Sequence, residues 1–144
     1  MPTHPITDEL KTARGEVRLS RPAWGIVHTV VVGYATIEIG ERIIAWVDGA
    51  IRAHERPAVF HDWAGATGYE PRARPMFAEW YMRVRRDVTS VDVFTRSKVV
   101  AMGVALVSLA TNNSIVAHRD RRRFEDKLQD ALDARKGARF GAVR

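Results

Sequence analysis

Four short apolar runs, separated by stretches of helical period, constrain this chain more than any other feature. They are Trp24–Val32, Ala58–His61, Ser90–Phe94 and Ser114–Ala117. Runs of this length, bounded by turn residues and rich in β-branched or aromatic side chains, suit strands rather than helices. Between the first two, Ile43, Val47, Ala50, Ile51 and His54 recur at helical spacing. Ala73, Phe77, Trp80, Tyr81 and Val84 repeat that spacing after the second. Each set lies on one face of an α-helix.

Strands alternating with amphipathic helices imply a mostly parallel sheet, because each crossover must lay its helix back on the sheet. Glu16–Ser20 alternates polar and apolar, and Arg21-Pro22 separates it from the Trp24 run. This predicts an initial antiparallel hairpin. The expected order is ββαβαβαβα, an α/β domain with a sheet of about five strands and four helices. Ala58–His61 belongs at its centre, since a run apolar on both faces needs cover on both.

Local chemistry marks the boundaries. Gly33 is expected to end its strand, and Thr36, Ser97 and Asp120 are candidate N-caps. Pro57 stops the first helix. Asp62–Glu70 carries two glycines and reads as a loop leading to Pro71, a favoured first helical residue. Residues 1–14, with two prolines and no period, read as a flexible N-terminus, 15–136 as a single domain, and 137–144, opening on Gly137, as a basic tail.

The chain has no cysteine, which excludes disulfides and thiolate chemistry. Its longest apolar stretch, Val99–Ala110, falls short of the roughly 18 residues a membrane span needs. The opening residues lack the basic and apolar regions of a signal peptide, so a cytoplasmic location is expected. A net charge of +6 raises the prospect of a polyanionic partner. The excess lies largely at the end: from His118 onward nine Lys or Arg stand against five acids.

The element order over about residues 15 to 135, with Val59-Phe-His-Asp-Trp-Ala-Gly-Ala-Thr-Gly-Tyr-Glu70, resembles the STAS superfamily, and especially its SpoIIAA-like branch. Ser97-Lys-Val-Val-Ala-Met-Gly103 and Arg119-Asp-Arg-Arg-Arg-Phe-Glu125 resemble the starts of the family's last two helices. The resemblance implies a non-enzymatic regulatory module of the bacterial anti-sigma-factor-antagonist kind, binding a protein partner or a small ligand. Members are often switched by a phosphorylated serine where the second helix begins. Here the corresponding positions are Glu70, Pro71 and Arg72, so the usual phosphoacceptor is missing. Thr67 and Ser97 are the nearest hydroxyls.

The expected working surface is the Asp62–Arg72 loop with the Arg96-Ser97 turn. Its candidate residues are Asp62, Trp63, Gly65, Thr67, Tyr69, Glu70, Arg72, Arg96 and Ser97. Loop aromatics such as Trp63 and Tyr69 suit a contact surface; the plainer reading is that Trp63 covers the sheet edge. Trp80 and Tyr81 read as core. The nearly all-apolar helix Lys98–Leu109 is either buried on two sides or a surface for a second copy, the first being favoured.

Two alternatives stand beside this reading. Arg119, Arg121, Arg122, Arg123 and Lys127 could bind a polyanion such as nucleic acid or anionic lipid, though cations at a helix start also read as solvated arms. Second, His61, Asp62 and His118 end adjacent strands and could form an acid–base or metal site. The plainer account has Asp62 bonding its own backbone and the histidines partly exposed. No nucleophile elbow, Walker loop, dinucleotide fingerprint or His-Glu-x-x-His stretch is present, so neither enzyme activity nor a cofactor is expected.

Overall fold

The computed structural model describes residues 6–142, with side-chain surroundings up to Arg135. The described elements are β1 (Ile6–Lys11), β2 (Gly15–Ala23), β3 (Ile26–Ala35), α1 (Ile37–Arg52), β4 (Ala58–Tyr69), α2 (Ala73–Val84), β5 (Ser90–Thr95), α3 (Lys98–Ala110), β6 (Ile115–His118) and α4 (Arg121–Ala142). A single turn of 3-10 helix, Arg85–Asp87, follows α2. None of these helices is long and apolar enough to cross a membrane.

The six strands lie in chain order, β1-β2-β3-β4-β5-β6. β1–β2 and β2–β3 are antiparallel, and the remaining pairs are parallel. Three successive parallel crossovers of one hand, all stepping the same way, place α1, α2 and α3 on one face. α4, which returns to no further strand, covers the other. The period-2 alternation of β4 and β5 divides the interior accordingly. Val59, Val91 and Val93 join a core with Ile39, Ile43, Val47, Val100 and Val104. Phe60 and Phe94 meet Phe124 of α4.

The caps expected at Thr36 and Ser97 are present. Thr36 Oγ1 accepts the Ile39 N–H, and Ser97 Oγ accepts that of Val100. The hairpin is antiparallel and the Ala58 strand is internal, paired on both sides.

Five expectations need correction. The supposed flexible N-terminus contains β1, whose Leu10 pairs with Val17 and packs against the core, while Asp8 holds Arg42 at 2.8 Å. The sheet therefore has six strands. Gly33 does not end β3: the strand passes through it at φ +83°, where a Cβ would stand 2.7 Å from the Arg14 carbonyl oxygen. Glycine alone tolerates both conditions. The Asp62–Glu70 loop is in fact the second half of β4. Gly137 does not close the last helix, because α4 runs to Ala142. Finally, α3 is buried on one side only; Val99, Met102, Leu106 and Leu109 are exposed. Residues 1–5 and 143–144 lie outside the described residues.

Candidate functional site

The sheet and its three same-side helices do not close completely on one another. They leave between them a partly open cavity of about 100 Å³ whose walls include Ile39 and Ile43 of α1, Val59 of β4, Phe77 and Trp80 of α2, and Val104 of α3. That is on the scale of the roughly 150 Å³ engineered cavity that takes benzene. Bulky rings hold α2 off the sheet, and glycines let them in. A Cβ on Gly103 would lie 2.5 Å from the Tyr69 hydroxyl oxygen, so glycine is what admits that ring against α3. Phe77 stands 6.4 Å from Trp80, and Trp80 Nε1–H donates to Asp48 at 2.8 Å.

One histidine from the sheet lines this space. His61 shares its face of β4 with Val59 and Trp63, and its ring stacks on Trp63 at 4.6 Å. His61 Nδ1 lies 2.6 Å from Thr29 Oγ1, which also accepts the Trp63 Nε1–H at 3.3 Å. Burial drives the imidazole from its ordinary 6.5 down to about 3, with His28 adding a smaller push in the same direction. The buried ring is therefore neutral at physiological pH.

This state carries a prediction. Below pH 6.5 the unfolded chain takes up a proton that the folded chain refuses, so stability is full above that value and falls toward pH 3. Between pH 7 and pH 5 the loss from His61 is about 2 kcal/mol. His28, also lowered chiefly by burial, adds to it with the same sign. Urea unfolding at the two pH values measures the difference, and His61→Gln should remove most of it. An unchanged difference in that variant would show that His61 is not the group responsible.

The expected site residues do not share one surface. Trp63 and Tyr69 face the cavity. Asp62, one residue from both His61 and Trp63, lies on the opposite side of the sheet. There it accepts from Arg121 at 3.1 Å and from the Ala64 N–H at 3.2 Å. Glu70 caps α1 through the Ile37 N–H at 3.2 Å, with Arg72 3.5 Å away. Ser97 caps α3. Gly65 and Thr67 are exposed on β4, and Arg72 and Arg96 are exposed at helix starts. Only the two aromatics belong to a common space.

His61 is likewise separated from Asp62 and His118. Among the described residues no group of three His, Cys, Asp or Glu side chains could hold a metal ion. On the α4 side His118 Nε2–H donates to Asp92 Oδ2 at 2.6 Å, and Lys127 Nζ reaches the same oxygen at 2.7 Å. The basic cluster is partly neutralised. Arg121 bridges Asp62 and Glu125, both at 3.1 Å, which raises its pKa, the Asp62 hydrogen bond being the main cause. Lys127 serves Asp92, and Arg123 stands 4.0 Å from Asp120. Arg119 and Arg122 make no ion pair among the described residues.

The residues that sequence reasoning missed are the walls, above all Ile39, Gly40 and Phe77, and Thr29 behind His61. Their apolar periodicity signals only core. A glycine inside each of two strong helices, Gly40 and Gly103, was the available hint of something large packed close.

No protein-family model matches the chain, and no curated protein matches it. Among solved structures it is similar to an uncharacterised protein of the DUF3478 family, with a SpoIIAA-like fold, from Shewanella loihica PV-4. The two share 12% identity over 87% of this chain and 94% of that one, with a TM-score of 0.55. The chain has a SpoIIAA-like fold.

Proposed function

We propose that this protein is a non-enzymatic, ligand-responsive module that holds a small apolar molecule between the sheet and α1–α3. The observation that carries the reading is the cavity of about 100 Å³, walled by apolar and aromatic side chains from both layers. Concave apolar space with a few placed polar groups is the usual form of a small-molecule site. Binding is favoured over turnover because no carboxylate lines the space beside His61 among the described residues. The imidazole thus has no carboxylate to orient it, and burial holds its pKa at about 3, far from the range suited to acid–base work near neutral pH. Of the two occupants that the fold resemblance suggested, the cavity supports a small ligand. The residues put forward for partner or ligand binding are dispersed over both sides of the sheet, which favours the cavity over one continuous contact surface.

Titration with benzene tests this reading. At ten times its Kd, benzene should raise Tm by about 3–5 °C. It should also shift the amide and methyl resonances of Ile43, Val59 and Val104 saturably. Unchanged resonances at these three residues, with an unchanged Tm, would overturn the proposal.

A further inference from the structure

We infer that the molecule held in this cavity carries an uncharged hydrogen-bond acceptor, a carbonyl or ether oxygen, that receives the Nε2 proton of His61. The inference rests on the ligand reading just given and adds the chemistry of the ligand.

Thr29, on β3, is fully buried with its hydroxyl. It has one proton to donate. Among the described residues its side-chain partners are Trp63 Nε1, which can only donate, and His61 Nδ1. Were Nδ1 protonated, it would also donate to Thr29, and the hydroxyl proton would be left without an acceptor. Buried polar groups are satisfied in all but rare cases. Nδ1 therefore accepts from Thr29, and the single proton of the neutral ring sits on Nε2. Trp63 thus acts at one remove: by filling one lone pair of Thr29 Oγ1 it favours the hydroxyl as donor to the imidazole.

Nε2 has no hydrogen-bonding partner among the described residues, and the ring lines the cavity. The other polar groups of the wall make weaker demands on a ligand. Thr36 Oγ1 already accepts from Ile39, and Trp63 Nε1 already donates to Thr29. The Tyr69 and Tyr81 hydroxyls either donate or accept. Arg74 is exposed on α2. His61 alone is restricted to one role. A carboxylate set against it would exchange water for a neutral donor and apolar walls, which is costly. A pure hydrocarbon would offer the Nε2–H no acceptor.

Cyclopentanone and methylenecyclopentane make the test, since they differ only in an oxygen or a CH₂ at one position. Each is titrated at pH 7.5 into the full chain and into His61→Leu, with affinities taken from shifts at Val59 and Val104. The ratio of ketone to alkene affinity should fall about tenfold in the variant, because only the ketone loses a bond. In ¹⁵N-histidine-labelled wild type, Nε2 should carry the proton, and cyclopentanone should move the Nε2–H resonance downfield. That second measurement decides the matter if His61→Leu does not fold. An unchanged ratio, or a ring protonated at Nδ1, overturns the inference while leaving the apolar site standing. If neither probe, nor benzene, perturbs the cavity, the ligand reading itself fails.

Discussion

Trp63→Ala is expected to lower stability by about 3 kcal/mol, the low end of the range for Trp→Ala because the ring is only partly buried. The indole packs between His61 and Phe77, at 4.6 and 6.3 Å, and donates to Thr29. Truncation removes those contacts and opens the cavity further, while Thr29 loses a donor. Urea unfolding should show a lower midpoint with an unchanged m-value. The contrary expectation, that Trp63 is an exposed contact residue for a protein partner, requires the variant to unfold like wild type and to lose only binding. Wild-type stability in Trp63→Ala would remove the ring from the architecture of the site.

Phe124→Ala is expected to cost more, about 3–5 kcal/mol. Phe124 is fully buried and anchors α4 in the core of that face, with Leu128, Ala131 and Leu132 partly buried beside it. Its ring meets Phe60 at 5.9 Å, Phe94 at 5.8 Å and His118 at 5.8 Å. Removing it leaves a void under a helix whose remaining apolar contacts, Leu128, Ala131 and Leu132, are only partly buried, beside the ion pairs of Arg121 and Lys127. Hydrogen exchange should therefore quicken in α4 before it quickens in α1 or β4. Equal loss of protection in all three would mean that α4 is not separable from the rest.

Much of this architecture was legible because local and tertiary signals agree. Thr36 and Ser97 cap as their types suggest, and the Ile43-Val47-Ala50 stripe is buried as its period requires. Two failures have physical causes. β1 carries Asp8, Glu9 and Lys11 among few apolar residues, a composition with weak strand propensity. It exists because β2 offers it a full antiparallel edge. The second half of β4 carries Gly65 and Gly68, ordinarily loop residues. It remains extended because it pairs with β3 as far as Ala35↔Tyr69, through two register shifts that neither strand announces alone.

The candidate site was less legible, for a different reason. His61 and Asp62 are neighbours in the chain and so point to opposite faces of the sheet. A cluster containing both is geometrically excluded once β4 is known to be extended there. The cavity depends on how far Tyr69, Phe77 and Trp80 hold α2 and α3 from the sheet. No periodicity encodes that distance.

The unbroken strand order bears on how the chain is made. Each strand pairs with the one synthesised just before it, so no part of the sheet waits for a remote segment, and loop-closure entropy stays small. At roughly 5–20 residues per second, the β1–β3 meander can form at the ribosome before β5 has emerged. Of the described elements α4 emerges after all six strands. Until it arrives, Phe60 and Phe94 form an uncovered aromatic patch on a nearly complete sheet. A nascent chain of this protein is therefore vulnerable in the interval between β5 and α4, when a chaperone or a neighbouring chain can reach that patch ahead of Phe124.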